Sequence, residues 1–274
     1  MTSAFELVIR PRKGWQPVEL REIWQYRELL GFLVWRDIKI RYKQTALGGL
    51  WAILQPLVAM LIFGTLFNRV AHIPSEHVPY LLFVYAGLVP WTFFQNAVSF
   101  SSNSLLGSEQ LIRKIYFPRV LVPLGAIGAF GLDVLVSLSF MVVLMAFYHR
   151  HISIGLISLP IFVIGSFFAA SALGLFLSAL NVRYRDVKYV VPFFVQMAFF
   201  LTPVLYPMHY ISGKLRVVLL INPMSGVEEG FRYALLGTPI SWPLVWTSMS
   251  LSLVLFAGAL IFFRRTERSF ADVI

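Results

Sequence analysis

Long apolar stretches, each bounded by charged residues or by glycine and proline, dominate the pattern of this chain. A helix that spans about 30 Å of hydrocarbon needs roughly 20 apolar residues, because each residue adds about 1.5 Å. The stretches lack the short alternation of apolar and polar residues that is typical of membrane barrel strands. We therefore predict six transmembrane helices: Leu50 to Phe67, Tyr80 to Phe100, Val120 to Phe147, Ile154 to Leu180, Val190 to Tyr206 and Leu244 to Phe263.

The segment before the first predicted span is polar and charged, and no apolar core interrupts residues 1–48. We therefore expect no cleavable signal peptide. From Glu19 to Gln44, apolar and aromatic residues stand among basic ones, a pattern typical of an amphipathic helix at a membrane surface. Such a helix acts either as a topological anchor or as a brace that also contacts a cytoplasmic partner. Gly48 and Gly49 then break the chain before the first span.

A second segment outside the spans runs from Ser104 to Pro118. Ser108 is a candidate N-cap for a short helix, and Pro118 ends that helix. The helix would carry leucine and isoleucine on one face, and this face must be buried against lipid headgroups or against a docked protein.

A third segment, Thr202 to Pro243, is too long for a simple turn. Asn222 followed by Pro223 is a good helix start, since asparagine caps a helix and proline fits its first turn. Gly237 is a good helix stop. A helix between these points is too short to cross a bilayer, so we expect a re-entrant or interfacial helix.

Composition and charge agree with a membrane protein and set its orientation. Of the 274 residues, 58% are hydrophobic and 13% are charged, and the formal net charge is +10. A soluble domain carries about 25% charged residues. Eighteen of the 23 lysines and arginines lie before the first span, after the second or fourth, or after the sixth. By the positive-inside rule both termini are cytoplasmic, and the basic charge is a topology signal rather than a nucleic-acid site.

The predicted protein is thus all-α and polytopic. A cytoplasmic segment with the interface helix occupies residues 1–48, a six-helix membrane domain occupies 49–263, and a cytoplasmic tail occupies 264–274. Within the membrane domain, the short cytoplasmic helix lies at about 104–118 and the external short helices at about 203–243.

The chemistry that would supply energy or catalysis is missing from the chain. There is no cysteine, no G-x-x-x-x-G-K-[ST] phosphate loop, no H-E-x-x-H helix and no nucleophile elbow. His149 and His151 lie in a short outside loop without convergent ligands, so we expect no metal site there. Asp133 is the acid within a span; it either makes a structural hydrogen bond or belongs to a proton relay, for which no partner is obvious. The energy source is therefore expected to lie in another subunit.

The first two spans are rich in aromatic residues, prolines and amides. Membrane-interface belts account for many of the aromatics, whereas a pathway lined by aromatic faces, which stack on sugar rings, is the alternative. Pro56 and Pro90 leave the carbonyls of Ala52 and Ala86 without helical partners, which a neighbour or a wet cavity must satisfy. A neutral, polar and aromatic lining fits a carbohydrate better than an ion. The candidate lining residues are Trp51, Gln55, Tyr85, Trp91 and Phe94.

Small residues recur along the fourth span, where Gly165, Ala169, Ala170 and Gly174 permit close helix packing. The sequence leaves open whether that packing is within one chain or between subunits.

Three segments carry a family resemblance: WRDIKIRYKQTALGGLWAILQPL (Trp35 to Leu57), LIRKIYFPRVLVPL (Leu111 to Leu124) and LSALNVRYRDVKYVVPF (Leu177 to Phe193). They resemble the type-2 ABC export permeases, and within these the polysaccharide and O-antigen exporter permeases. The resemblance covers nearly the whole chain. It implies a homodimeric permease in the bacterial inner membrane, paired with two copies of a separate ATPase that binds ATP and magnesium, while this chain binds no cofactor. The implied substrate is a polysaccharide linked to a polyprenyl diphosphate.

The resemblance also implies roles for three groups of residues. The helix that couples to the ATPase would comprise Ser108, Glu109, Gln110, Leu111, Ile112, Arg113 and Lys114. Substrate entry and headgroup recognition would involve Arg41, Tyr42, Lys43, Tyr116, Phe117 and Arg119. A periplasmic gate would include Asn222, Pro223, Glu228 and Glu229. For Arg41 and Lys43, attraction of the diphosphate and simple positive-inside anchoring both remain open.

Other substrates fit the same scaffold. A drug or small-lipid exporter would have a wider apolar lining, whereas teichoic-acid or capsular glycan export is mechanistically close to the first hypothesis. A membrane-embedded transferase acting on polyprenyl-linked sugars would need clustered acids or histidines at one membrane face, and the sequence lacks them.

Overall fold

A computed structural model of the chain describes residues 24–43, 48–69, 78–151, 153–267 and 270. Regular structure in these ranges is entirely helical, which confirms the all-α class. Residues 1–23 of the predicted N-terminal segment, and most of the predicted tail, lie outside the described residues. The α-helices are α1 Arg27–Lys43, α2 Trp51–Arg69, α3 Tyr80–Gly107, α4 Glu109–Lys114, α5 Leu121–Ala129, α6 Gly131–Phe147, α7 Leu159–Arg183, α8 Val187–Phe200, α9 Gly213–Leu220, α10 Ser225–Leu236 and α11 Trp242–Glu267. Short 3₁₀ helices cover Gly48–Leu50, Ile154–Ser158 and Met208–Tyr210.

Among the described residues, five helical segments are long and apolar enough to cross a membrane. They are Gly48–Phe67, Tyr80–Gly107, Leu121–Phe147, Ile154–Arg183 and Trp242–Glu267. The expected count of six spans is not confirmed, because α8 has only 14 residues. At 1.5 Å per residue it is about 21 Å long, short of the roughly 30 Å of a hydrocarbon core. The predicted fifth span continued to Tyr206, but the chain leaves the helix at Leu201 and turns.

Some predicted boundaries agree with the structure to within a turn, and others differ by more. Gly48 adopts a left-handed conformation with φ of +47°, which confirms the predicted break before the first span. Gly237, with φ of +70°, follows the last residue of α10 as predicted. The helix after Ser108 ends at Lys114, earlier than the predicted stop at Pro118, because Ile115 is already extended.

Helix α3 lies at the centre of the bundle, packed against α2, α5, α6, α7, α8 and α10. The small residues of α7 permit this packing within one chain. A Cβ added to Gly174 would lie 2.3 Å from the Ser101 hydroxyl of α3, and one added to Gly165 would lie 2.3 Å from the Met249 sulfur of α11. Both distances are far below van der Waals contact, so a larger residue would force a shift, of Ser101 on α3 at position 174 and of the flexible Met249 side chain at position 165. The packing question left open by the sequence is settled for these two positions.

The carbonyl freed by Pro56 has a partner on a neighbouring helix. The Ser137 hydroxyl of α6 donates a hydrogen bond of 2.9 Å to the backbone oxygen of Ala52. This confirms that a neighbour satisfies one of the two proline-exposed carbonyls and fixes α2 against α6.

A second apolar core lies at the end of the bundle that carries α1 and α4, here called the α4 end. It joins Leu33 of α1, Ile112 of α4 and Phe263 of α11 with Phe117, which lies between α4 and α5. Ile112 is buried there and Leu111 is partly buried, so α4 packs its apolar face against the chain itself. The expectation that this whole face needs an external partner is therefore wrong. The opposite end, which carries α9 and α10, is here called the α10 end.

Candidate functional site

The C-terminal turn of α1 is fastened to the first turn of α6 through Asp133. The Arg41 guanidinium forms an ion pair with the Asp133 carboxylate, and the Tyr42 hydroxyl donates a hydrogen bond to its second oxygen. Asp133 lies in the first turn of α6, where the helix dipole favours a negative charge. The sequence found no partner for this acid, and the structure supplies two.

Tyr42 also contacts the turn that starts the first membrane span. A Cβ added to Gly49 would lie 3.1 Å from the Tyr42 ring. Burial raises the pKa of the Tyr42 hydroxyl above its ordinary value of 10.0, and the hydrogen bond to Asp133 raises it further. The hydroxyl therefore stays protonated and remains the donor to Asp133. Together these contacts join α1, the start of α2 and the start of α6 in one junction.

More than one turn earlier in α1, Arg36 connects this helix to Ser108, the residue between α3 and α4. Its Nε donates to the carboxylate of its neighbour Asp37 at 2.8 Å, and its Nη2 reaches the Ser108 hydroxyl at 3.4 Å. Ser108 directly precedes α4, as predicted, but its hydroxyl makes no capping bond to the helix backbone. Its partner is the Arg36 side chain instead.

An open cleft of about 580 Å³ lies between α1 and the C-terminal half of α3. This volume falls within the roughly 300–1,000 Å³ that is typical of small-ligand sites. Seven of the eleven lining residues are polar or charged, including one basic and one acidic residue, but apolar atoms make up most of the exposed surface of the cleft. The cleft is lined by Arg36, Asp37, Ile40, Asn96, Ser99, Phe100, Asn103, Ser104, Gly107, Ser108 and Phe130.

The polar part of this lining is a stripe on one face of α3. Asn96, Ser99 and Asn103 are spaced three and four residues apart, so they follow one another along the helix. At its inner end the Asn96 amide donates to the Gln55 oxygen of α2 at 3.3 Å. A second, enclosed space of about 10 Å³, room for one water molecule, lies between Asn96, Gln55, Asp133 and neighbouring residues. The cleft and the Asp133 junction therefore share a wall.

The predicted coupling helix presents a charged and apolar surface to solvent at the α4 end. Glu109 and Arg113 form an exposed pair at 2.7 Å, and Lys114 is also exposed. Beyond the helix, Ile115 is 57% and Tyr116 79% exposed. Exposed apolar side chains beside charged ones are typical of a protein-docking surface.

The predicted headgroup residues are not gathered in one place. Arg41 and Tyr42 lie at the Asp133 junction, and Tyr116 lies on the exposed surface after α4. Phe117 is buried in the second apolar core, at the α4 end. Arg119 is held by α11, where its Nη1 donates to the backbone oxygen of Glu267 at 2.8 Å. The role of these residues in headgroup recognition stays a prediction.

The predicted lining residues divide into two groups. Tyr85, Trp91 and Phe94 are buried inside the bundle of one chain, where Trp91 donates to Gln95 at 3.0 Å. Trp51 and Gln55 lie one helical turn apart on α2 and are exposed. A lining role stays a prediction for all five.

At the α10 end, Asn222 organises the start of α10. Its Oδ1 accepts from the Met224 amide at 2.9 Å, and its Nδ2 donates to Thr202 at 2.8 Å and to the Leu201 carbonyl at 3.0 Å. The helix itself begins at Ser225, two residues later than the predicted Pro223. Asn222 therefore ties α10 to the turn that ends α8.

Two ionisable residues of α10 are buried against α3. The Arg232 guanidinium donates to the carbonyls of Pro203 and Val204, at 2.7 and 2.6 Å, and lies 3.9 Å over the Phe83 ring. Glu228, one turn earlier, is fully buried, and its carboxylate oxygens have no hydrogen-bond partner among the described residues. Burial raises the pKa of the Glu228 carboxyl well above 4.5, while the Arg232 charge opposes that shift.

Gly87 makes room for this pair on α3. A Cβ at that position would lie 2.6 Å from Arg232 Nη2 and 3.1 Å from a Glu228 oxygen. The second predicted gate acid, Glu229, accepts a hydrogen bond from the Ser241 amide at 3.2 Å. Asn222 and Glu229 thus tie α10 to neighbouring segments, and a gating role stays a prediction for all four predicted gate residues.

Sequence reasoning missed Arg36, Asp37 and Arg232 as parts of these sites. The polar stripe on α3 has a detectable signal, because its residues repeat at helical spacing within a span. The contacts of Arg36 with Ser108, and of Arg232 with Pro203, join residues far apart in the chain and leave no local signal.

Comparison with known proteins agrees with this architecture. The pattern of the family described as ABC-2 type transporter matches residues 28–236. The chain is 31% identical over 259 residues to the O-antigen export system permease protein RfbA of Myxococcus xanthus, covering 93% of this chain and 98% of that protein. It is 26% identical over 248 residues to the protein of the same name from Klebsiella pneumoniae, covering 90% and 95%.

A further relative is the polysialic acid transport protein KpsM of Escherichia coli, 25% identical over 252 residues that cover 85% of this chain and 91% of KpsM. These matches confirm the resemblance stated from the three sequence segments. The chain, a multi-pass membrane protein with the helical architecture described above, belongs to the ABC-2 type transporter family.

Proposed function

We propose that this chain is the permease subunit of an ATP-driven exporter that moves a polysaccharide linked to a polyprenyl diphosphate across the bacterial cytoplasmic membrane. The observation that carries the proposal is the extent of similarity to relatives named for O-antigen export and for polysialic acid transport. The aligned regions cover 93% and 85% of this chain, respectively. O-antigen and polysialic acid are both glycan polymers, so the shared substrate class is a polysaccharide.

The neutral polar surfaces of the bundle support a carbohydrate substrate. Asn96, Ser99 and Asn103 form a stripe on α3, and Gln55 continues it onto α2. Amides and hydroxyls pair with sugar hydroxyls, whereas transport of an ion through a membrane usually relies on charged residues. A drug or small-lipid exporter, the other candidate considered from the sequence, would instead need a wider apolar lining without such a polar stripe.

Energy would come from a separate ATPase, which holds the ATP and magnesium. The chain contains no phosphate-binding loop. The surface of α4 with Arg113 and Lys114, followed by Ile115 and Tyr116, would dock on that partner. Nucleotide-driven movement of the partner would then reach α3 and α1, since α4 is joined to α1 through Ser108 and Arg36.

Assembly as a homodimer would give the exposed face of α2 a partner. Gln55 is exposed in a helix whose other residues are largely apolar, and lipid would leave part of its amide unsatisfied. A second copy, or a polar pathway between two copies, would satisfy it. The termini would face the cytoplasm, because most of the basic residues lie on that side of the predicted topology.

The proposal is tested in the organism that encodes the chain, by removing its gene and following a labelled glycan. We expect the polysaccharide to disappear from the cell surface while its lipid-linked form accumulates inside, protected from added glycosidase in intact cells. Re-expression of the wild-type chain should restore the surface polymer. Normal surface glycan in the deletion strain, with altered resistance to amphiphilic drugs, would contradict the proposal and favour a drug or small-lipid exporter.

A further inference from the structure

Arg41, one of the residues predicted for substrate entry, is already paired with Asp133. Arg41 lies in the last turn of α1, and its guanidinium is held by a carboxylate of the same chain. The pair is only partly shielded, because 22% of the Arg41 side chain and 12% of the Asp133 side chain are exposed. The Arg41 Nη1 atom is buried, so an incoming anion would first meet the partly exposed edge of this side chain.

The α1–α3 cleft adjoins this pair at Phe130. The Arg41 guanidinium lies 3.7 Å over the ring of Phe130, and Phe130 lines the cleft of about 580 Å³, whereas Arg41 and Asp133 are not among its lining residues. Arg36 lines the cleft itself and is likewise paired with an acid of its own chain, Asp37. One arginine thus lines the cleft and a second lies next to it, and each is paired with a neighbouring carboxylate.

A diphosphate is a stronger partner for arginine than one carboxylate. It offers more oxygens and more negative charge, and guanidinium groups bind phosphate oxygens in a bidentate manner. Because Asp133 already holds Arg41, an anion that binds this arginine must compete with the internal carboxylate. Breaking the ion pair costs free energy, and this cost is subtracted from the binding free energy of the anion.

We propose that Asp133 is a built-in competitor: in the substrate-free state it holds Arg41, and the diphosphate headgroup of a lipid-linked substrate takes Arg41 from it on entering the α1–α3 cleft. This inference rests on the proposed function, since it assigns the headgroup to a definite arginine and gives Asp133 a role. Asp133 is a positioning and specificity residue here, because it acts through Arg41 and Tyr42.

The exchange has a structural consequence at the first span. Tyr42 donates to the same carboxylate and packs on Gly49 at the beginning of that span. When Arg41 leaves Asp133, the hydrogen bond from Tyr42 still joins α1 to this carboxylate. Headgroup binding therefore changes the contacts of Tyr42, which lies against the start of the first span.

The test measures binding of farnesyl diphosphate to the full chain, purified with whatever subunits accompany it and placed in nanodiscs. Asp133→Asn keeps the size of the side chain but removes its charge, so the competitor is weakened. We expect the Kd for farnesyl diphosphate to fall by about five- to tenfold. Arg41→Gln should raise the Kd, and the double variant should lose the gain given by Asp133→Asn. Asp186→Asn, which removes an exposed acid before α8, is the matched control and should leave the Kd unchanged.

Inorganic diphosphate and phosphatidylglycerol vesicles distinguish the sources of the anion. Tighter binding of farnesyl diphosphate, with or without the same gain for inorganic diphosphate, supports the proposal, because both carry the diphosphate group. Equal tightening for phosphatidylglycerol vesicles as well overturns it in favour of a general anion site. A Kd that is unchanged or higher in Asp133→Asn also overturns it and leaves Asp133 as a structural anchor. Polysaccharide export, measured in cells with the same variants and with the gene deleted, separates the two failures. If deletion abolishes surface glycan while the Kd test fails, the proposed function stands without the competitor.

Discussion

The Arg36 guanidinium lies 3.4 Å from the Ser108 hydroxyl, and this contact joins α1 to the residue directly before α4. The amides of Leu111 and Ile112 both bond to the Ser108 carbonyl, so the same residue begins the short helix. The helix proposed to receive the push from an ATPase is therefore attached to the helix that ends at the Asp133 junction. A movement of α4 has a direct route to the proposed headgroup site.

Replacing Ser108 by alanine removes one partner of this contact. A hydrogen bond of this kind contributes about 1 kcal/mol, so we expect the α4 amides to exchange hydrogen about fivefold faster. Hydrogen exchange measured by mass spectrometry checks this on peptides that contain Leu111 and Ile112. Peptides from the middle of α11 serve as the internal control. Equal exchange in both proteins would show that α1 does not hold α4.

The position of Gly87 predicts a sharp difference between two glycine substitutions on α3. Gly87→Ala places a methyl group 2.6 Å from Arg232 and 2.9 Å from the Val204 carbonyl, so we expect a loss of about 1–3 kcal/mol of stability. Gly107→Ala is the matched control on the same helix, because nothing lies within 4 Å of its added Cβ. Thermal unfolding in detergent measures both variants. A Gly87→Ala protein as stable as the control would contradict the close packing of α10 on α3.

The buried carboxyl of Glu228 predicts a pH-dependent stability. Its pKa is raised by burial above the ordinary 4.5, so the folded chain holds this proton more tightly than the unfolded chain. Its contribution to stability is fully present below pH 4.5 and is lost as the pH rises through the raised pKa. Glutamine does not titrate and carries no such loss.

We therefore expect the melting temperature of Glu228→Gln, relative to that of the wild type, to increase as the pH is raised from about 5 to about 8. Glu229→Gln, at the neighbouring position that bonds to Ser241, gives a comparison in which the acid is less deeply buried. A difference between Glu228→Gln and the wild type that stays constant across this range would contradict the raised pKa.

The contact of α7 with α3 predicts that two engineered cysteines will form a disulfide. The natural chain has no cysteine that could interfere. A Cβ at position 174 would lie 3.3 Å from the Ser101 Cβ, near the lower end of the range for disulfides. We expect Gly174→Cys combined with Ser101→Cys to form a bond within one chain on mild oxidation. A shift of the monomer band on a non-reducing gel reports it. Ser101→Cys with Gly107→Cys should form none, and a covalent dimer from the first pair would place the small-residue stripe between subunits.

Much of the fold could be predicted because bilayer thickness imposes a length that composition reveals directly. The spans at Leu50 to Phe67 and Tyr80 to Phe100 lie within helical segments that start within two residues of the prediction. The fifth span was wrong in extent because apolar composition continues through Leu201 to Tyr206, although the backbone turns there. That turn is fixed by Arg232 and Asn222, which bond to its carbonyls from a distant part of the chain.

The sites were less predictable than the helices. Asp133 was identified from its charge in an apolar span, but its partners Arg41 and Tyr42 lie about 90 residues earlier, beyond any local pattern. The apolar face of α4 was correctly identified as one that must be buried, yet the sequence could not show that the chain's own Phe117 and Phe263 bury it. Amphipathicity indicates that a face is covered, and only tertiary packing shows by what.

The most direct test of the account asks whether a separate ATPase drives this permease. The tagged chain is purified from native membranes in mild detergent, and the accompanying proteins are identified and quantified. We predict an ATPase in equal molar amount to this chain, lost when Glu109 to Arg113 is scrambled. Scrambling Lys214 to Val218, an exposed stretch of equal length on α9, should retain it. A stable, folded preparation that never contains an ATPase would contradict the account.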